Sequence, residues 1–204
     1  IKNFLSFDDE VQFDMFPNMK RTQMTEHVYM DSCDVPLLKQ AAIFGQNGAG
    51  KSNLVKALEF IRAYAINKNF AKNIEINKYF YLLKENVGND PISLSIEFEH
   101  KKKFFFYEVE INAKKVLKEG LYESLPQEKS LELIYERRNR EVTFAKDVDS
   151  SIMDAIQKLL DKNPLASLMA LNCEFPIVAD ERCASATKWF KSRLEIIGVH
   201  SFLP

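Results

Sequence analysis

Apolar positions recur along this chain with two different periods, and the places where the period changes divide it into segments. Ile1-Lys2-Asn3-Phe4 and Val11-Gln12-Phe13-Asp14-Met15 both alternate, and the polar, acidic stretch from Ser6 to Glu10 separates them. That pattern predicts a hairpin-like pair of strands. Residues 17–36 hold Pro17, Pro36 and mixed charge, and read as a mobile loop. Gln40 to Phe44 is almost wholly apolar, as expected of a short central parallel strand buried on both faces. From Asn53 to about Asn67 the period lengthens: Leu54, Ala57, Leu58, Ile61 and Ala65 fall at helical spacing. Leu54, Leu58, Ile61 and Ala65 would press this helix onto a sheet.

Beyond Asn69-Phe70 the alternation returns. Ile92–Glu99, Phe104–Asn112, Val116–Glu123, Leu131–Arg137 and Glu141–Ala145 predict five successive antiparallel strands. Two basic turns separate some of them, Lys101-Lys102-Lys103 and Arg137-Arg138-Asn139-Arg140. Hairpin tips of this kind read as solvated charge before they read as nucleic-acid contacts. The run Phe104-Phe105-Phe106-Tyr107 would place alternate rings on opposite faces, so it reads as core packing rather than a base-stacking platform. Asp149–Asp161 is amphipathic through Ile152, Ile156, Leu159 and Leu160, with Asn163-Pro164 as its stop. Asp180–Ile197 predicts a third helix, apolar at Ala184, Trp189, Phe190, Leu194 and Ile197, with Gly198 as C-cap.

Between the apolar run and the first helix lies Gly45-Gln46-Asn47-Gly48-Ala49-Gly50-Lys51-Ser52, a G-x-x-x-x-G-K-S phosphate-binding loop in the strand–loop–helix setting its mechanism requires. Gly45 and Gly50 allow the backbone to curl until successive N–H groups face one phosphate. The helix behind adds the positive end of its dipole. Gly45, Asn47, Gly48, Ala49 and Gly50 are therefore candidate phosphate contacts through their backbone, with Asn53 beside them at the helix start. Lys51 is the candidate catalytic residue, placed to neutralise the β- and γ-phosphates. Ser52 is the candidate magnesium ligand, and the implied cofactors are ATP and Mg2+.

Composition adds constraints. At 204 residues, 46% hydrophobic with 16 Phe, the chain can bury a core. Its 28 basic and 29 acidic residues imply no general basic face for nucleic acid, though a local patch is compatible with them. Cys33, Cys173 and Cys183 show no metal-ligand spacing and read as reduced thiols of a cytoplasmic protein, and His27, His100 and His200 are scattered. No apolar run approaches membrane-spanning length. The start at Ile1, in apparent mid-strand, and the end at Leu203-Pro204 suggest a piece of a longer polypeptide.

The opening Ile1-Lys2-Asn3-Phe4-Leu5-Ser6-Phe7 resembles the N-terminal strand of ABC-type AAA ATPases of the RecF, SMC and OLD-like group. The loop is similar to that group's G-x-N-G-[AS]-G-K-[ST]-N-[IL] form, and Pro91–Tyr107, Glu119-Gly120-Leu121-Tyr122 and Tyr135-Glu136-Arg137 look like the β-subdomain of its prokaryotic defence ATPases, which include OLD, Septu and PARIS proteins. The resemblance implies an α/β fold: the N-terminal half of a P-loop NTPase head of ABC type, with an antiparallel β-subdomain and a following helical region. Its parts would be residues 1–70 (N-terminal strands, loop and first helix), 71–148 (β-lobe) and 149–204 (helices leading to a second half). Two heads would sandwich ATP in a homo-oligomer, acting as a switch or scaffold for a TOPRIM or HNH nuclease effector in anti-phage defence. DNA or a phage protein would be the trigger. A RecF/SMC-like repair ATPase is the alternative, and a small-molecule kinase a more distant one. Such sites also need a signature segment and an Asp-Glu strand end. Ile177-Val178-Ala179-Asp180-Glu181 is a poor version of the latter, since Pro176 precedes it, and Asp180 serves better as a helix N-terminal charge. Gln127 and Gln157 are both candidates for a magnesium-sensing glutamine.

Overall fold

A computed structural model of the chain describes residues 1–18, 20, 23, 25–30, 35–84, 87–174, 177 and 180–197. Cys33, the expected C-cap Gly198, His200, and Pro176, Val178 and Ala179 of the acidic-pair stretch lie outside the described residues.

The expected N-terminal strand pair is not formed. Asn3 and Leu5 take left-handed backbone, φ 52° and 51°, which interrupts the extended chain. Lys2 instead bridges antiparallel to Ser93, and Phe4 locally to Phe7. The two segments meet as expected of a hairpin at one residue pair, the Val11 N–H donating to the Ile1 carbonyl at 2.8 Å and the Ile1 amine to the Val11 carbonyl at 3.0 Å. Packing decides the outcome: Phe4 is fully buried, its ring 5.6 Å from Phe60 and 5.7 Å from Tyr79. The Asn3 amide holds the turn by donating to the carbonyls of Asp90 and Pro91 at 2.9 and 3.2 Å.

Within the predicted loop, Thr25–His27 is a 3-10 turn, and β1 (Val28–Met30) pairs antiparallel with β2 (Pro36–Leu38), which begins at the loop's last residue. The larger correction concerns Gln40 to Phe44. These residues are in no strand and are exposed, Phe44 at 91%. An apolar run states a need for burial, but a parallel strand forms only beside neighbours that accept its backbone hydrogen bonds. Among the described residues none pairs with it.

The helix behind the loop is α1 (Lys51–Ile66), followed by the short α2 (Phe70–Asn73). It buries Ala57, Phe60, Ile61, Tyr64 and Ala65, a stripe at i, i+3, i+4 spacing, while Leu54 and Leu58 are only half-buried. The five predicted strands are all present: β3 (Ile92–His100), β4 (Lys103–Ile111), β5 (Val116–Leu125), β6 (Ser130–Arg138) and β7 (Glu141–Phe144). They form one antiparallel meander in sequence order. Phe105 and Tyr107 are fully buried, whereas Phe106 faces the other side near Tyr122, 6.1 Å away, so this aromatic run does pack the core. The outer face carries ion pairs such as Lys118–Glu108 at 2.6 Å.

Three further helices follow, α3 (Ser150–Lys162), α4 (Leu168–Glu174) and α5 (Glu181–Ser192). α1, α4 and α5 pack together, and α1 and α5 also contact β3. Phe98 of β3 stacks on Trp189 with ring centres 4.0 Å apart, and Phe190 meets Phe98 and Tyr107 edge-on at 5.3 Å from each. Asp149 caps α3, accepting the Ser151 N–H at 2.8 Å. That helix buries Ile156 and Leu160, and leaves Ile152 exposed. α4 has no sequence signature because Leu168 to Asn172 are buried on every side, which erases the period. α5 ends at Ser192, short of Ile197, and its buried residues are Cys183, Ala186, Thr187 and Phe190, with Ala184 exposed. No helix among the described residues is long and apolar enough to cross a membrane.

Candidate functional site

Gly48 and Gly50 have φ of +84° and +87°, left-handed backbone that a side chain tolerates only with strain. Gly50 is also crowded: a Cβ there would stand 3.0 Å from Ser6 Oγ and 3.7 Å from the Phe7 ring. Gly45 differs from the expectation, since a Cβ would make only ordinary contact, 3.5 Å from Ala49 Cβ. The Gly50 carbonyl accepts from the Asn53 and Leu54 N–H groups at 2.9 and 3.1 Å, starting α1. The Asn53 side-chain amide donates to Ser6 Oγ at 2.9 Å, so the N-terminal turn buttresses the loop.

Lys51 is turned inward. Its Nζ donates to the carbonyls of Gly45 and Gln46 at 2.6 and 2.7 Å, which ties the cation to the mouth of the loop. Ser52 is exposed at the second position of the helix, and no acidic residue occupies the first turn. The 16-residue helix therefore presents an unopposed positive dipole end beside a lysine, the chemistry of an anion site. A cleft of about 470 Å³ adjoins it, lined by Leu5, Ser6, Asn53, Tyr81, Leu82 and Leu83. Leu82 and Leu83 are exposed.

All the candidate residues, Gly45, Asn47, Gly48, Ala49, Gly50, Lys51, Ser52 and Asn53, thus lie in one turn at the start of α1. The backbone of Asn47, Gly48 and Gly50 with Lys51 suits phosphate, and the Ser52 hydroxyl suits magnesium. The Ala49 N–H, by contrast, donates to the Gln46 carbonyl at 3.2 Å and the Asn53 N–H to the Gly50 carbonyl, so those two expected contacts are spent within the turn. No group of three or more His, Cys, Asp or Glu that could hold a metal exists among the described residues. Asp180 is engaged elsewhere. It caps α5, accepting the Arg182 N–H at 2.9 Å, and its carboxylate also takes Arg182 Nη2 at 2.9 Å. Burial alone would push its carboxyl up, but Arg182 and Lys146 hold it below the usual carboxylate range. Gln127 lies in the β5–β6 turn and Gln157 on α3.

Two residues behind the loop helix escaped the sequence reading. Glu119 of β5 is fully buried and accepts five hydrogen bonds. Its Oε1 takes Tyr107 OH at 3.0 Å, Ser167 Oγ at 3.1 Å and the Met169 N–H at 2.9 Å. Its Oε2 takes the Leu168 N–H at 2.8 Å and Tyr64 OH of α1 at 3.4 Å. Its register partner on β6 is Arg137, expected in a solvated tip but only 1% exposed. Arg137 donates to the carbonyls of Asn139, Ala166 and Pro164 at 2.7, 2.6 and 2.9 Å. Burial first, and then the Glu119 charge, pushes the phenols of Tyr64, Tyr107 and Tyr135 well above the ordinary tyrosine range. The available signal was alternation: Leu117 aside, Glu119 shares a face with Leu121, so a period-2 reading puts a carboxylate inward.

A glycine loop with Lys-Ser opening an anchored helix, set against an antiparallel lobe, defines a protein of the nucleotide-binding, ATPase class. Residues 41–168 match a family described as an AAA domain, putative AbiEii toxin, type IV toxin–antitoxin system. The match spans more than half of the chain, which therefore belongs to this family. The chain matches no curated protein and no solved structure.

Proposed function

We propose that this chain binds ATP with magnesium through Gly45–Ser52 and acts as a nucleotide-dependent switch or scaffold in a prokaryotic anti-phage defence system, governing a nuclease effector of TOPRIM or HNH type. The observation that carries the nucleotide part is Lys51, whose ammonium sits at the loop mouth on the carbonyls of Gly45 and Gln46. Family membership supports an ATPase, and the family's description as a putative toxin of a type IV toxin–antitoxin system supports an abortive-infection setting. When bound, ATP supplies the phosphoanhydride whose cleavage drives switching. Lys51 would neutralise its β- and γ-phosphates, Ser52 would ligate the magnesium, and the backbone of Asn47, Gly48 and Gly50 would hold the phosphate oxygens, joined by Ala49 once its N–H leaves the Gln46 carbonyl. The apolar cleft at Tyr81, Leu82 and Leu83 supports placement of the nucleoside beside the loop. Homo-oligomeric ATP-sandwiching heads belong to the same proposal, as do DNA or a phage protein as trigger.

The test is ATP binding and turnover by the full-length protein against Lys51→Ala, with and without phage-derived protein or DNA, beside plating of infected cells. Turnover and protection that both vanish with Lys51→Ala would support the switch. Nucleotide binding with negligible turnover and intact protection would support the scaffold form. Absence of nucleotide binding, or turnover stimulated by DNA ends with no protection, would overturn the proposal, the latter in favour of a repair ATPase.

A further inference from the structure

A second concave site lies on the lobe. The β4–β5 turn, the β6–β7 turn and the end of α3 enclose a cleft of about 460 Å³, with Lys114, Lys115, Arg137, Arg138 and Arg140 in its lining against one carboxylate, Glu141. In a chain of net charge −1 this is a concentrated positive patch.

The patch is built, not merely floppy surface charge. Asn112 Oδ1 accepts both the Lys114 and Lys115 N–H groups at 2.9 Å, which fixes the backbone of that turn. The β6–β7 turn is held by Asn139, in left-handed backbone at φ 55°, whose N–H donates to the Leu117 carbonyl at 2.8 Å. Arg137 Nε clamps the same residue from inside through the Asn139 carbonyl. Its guanidinium is buried and spent on carbonyls, with the buried carboxylate of its register partner Glu119 on the adjacent strand, so Arg137 stiffens the cleft wall rather than offering free charge. Arg138 pairs with Glu136, and Arg140 with Asp161 at 2.7 Å. Lys114 and Lys115 are exposed and make no ion pair among the described residues. Val116 and Leu160 add an apolar strip beside the charges.

We propose that this cleft binds the phosphate groups of a nucleotide or oligonucleotide, at a site separate from the glycine loop. Fixed turns carrying unpaired ammonium groups suit phosphate oxygens, Arg137 holds the turn that presents Arg138 and Arg140, and the apolar strip suits a sugar or base. The ligand chemistry is the phosphate ester; its source is what the experiment separates.

Fluorescence anisotropy would be measured on the full-length protein with a labelled single-stranded oligonucleotide, a labelled duplex and a labelled ADP, over a series of salt concentrations. The variants are the pair Lys114→Ser/Lys115→Ser and, separately, Arg140→Gln, all exposed turn positions. For a strand-type ligand, losing two phosphate contacts should flatten the log–log salt slope by about 1.4, since each contact contributes about 0.7. Affinity should fall at least tenfold for the lysine pair, and less for Arg140→Gln. Binding of oligonucleotide with that response identifies nucleic acid as the source, and binding of labelled ADP alone with that response identifies a mononucleotide. No binding of any probe at low salt would overturn the proposal. So would binding of oligonucleotide and ADP alike that survives the lysine changes; ADP binding lost only with Lys51→Ala reports the glycine loop and is expected beside either outcome.

Discussion

Glu119→Gln is the substitution that most directly tests how the loop helix is tied to the lobe. The amide is nearly isosteric with the carboxylate, so packing is kept and only the hydrogen-bond chemistry changes. All five partners of Glu119 donate. Hydroxyls of Tyr64, Tyr107 and Ser167 can rotate, but the backbone N–H groups of Leu168 and Met169 cannot, and they address different oxygens. Whichever way the glutamine amide is flipped, its NH2 opposes one of those N–H groups. One orphaned buried donor costs about 1–3 kcal/mol, and the remaining charge-assisted bonds weaken toward neutral ones. Arg137, register partner of Glu119, also loses the nearest opposing charge on the adjacent strand. Relief of carboxylate desolvation offsets part of this. The net loss is about 3 kcal/mol, or roughly 6–12 °C in melting temperature for a chain of this size. Urea unfolding followed by circular dichroism should show a lower midpoint at unchanged slope, and hydrogen exchange should quicken first at Leu168 and Met169. A loss under about 0.5 kcal/mol would sink the account, because the five bonds would then be geometric coincidence rather than a fastening.

The pH dependence near neutrality should centre on His100, whose pKa is lowered by burial and then by Lys101. A lowered folded-state value means that the unfolded chain takes up the proton first. Stability should therefore be fully present above about pH 6.5 and be lost progressively as pH falls from there through the folded-state value. His100→Gln should flatten that part of a stability–pH curve, and an unchanged curve would count against it. The Cys183 thiol is buried and pushed up to about 12, chiefly by desolvation. An aromatic disulfide reagent at pH 8 should modify Cys183 only after unfolding, and rapid labelling of folded protein, mapped by mass spectrometry, would contradict its burial.

Short-range pattern carried most of the architecture. The five-strand meander follows from period-2 alternation bounded by charged turns, and those turns prove local: Lys101 and Lys102 adopt left-handed backbone at the β3–β4 tip. The glycine turn and α1 were equally legible, because eight consecutive residues and the helix behind them are neighbours in sequence, although the strand expected before them did not form. Where the reading failed, distant residues decided. The apolar Gln40–Phe44 looks like a buried strand, yet burial needs a partner that no local pattern supplies. Phe4 left its expected strand for the ring of Phe60, far along the chain.

By itself, then, the sequence determined the candidate chemistry: a phosphate loop, with Lys51 and Ser52 at the head of a helix and an antiparallel lobe after it. Tertiary structure alone decided that Ser6 and Asn53 brace the loop and that Glu119 joins Tyr64 to the start of α4. It also split one basic run into two roles, with Arg137 buried against the carbonyls of Pro164 and Ala166 and Arg140 on the cleft rim. The physical reason is the same throughout. Periodicity and turn chemistry are properties of neighbours in sequence, whereas desolvation and the pairing of buried charge depend on which remote groups the fold brings within hydrogen-bond reach.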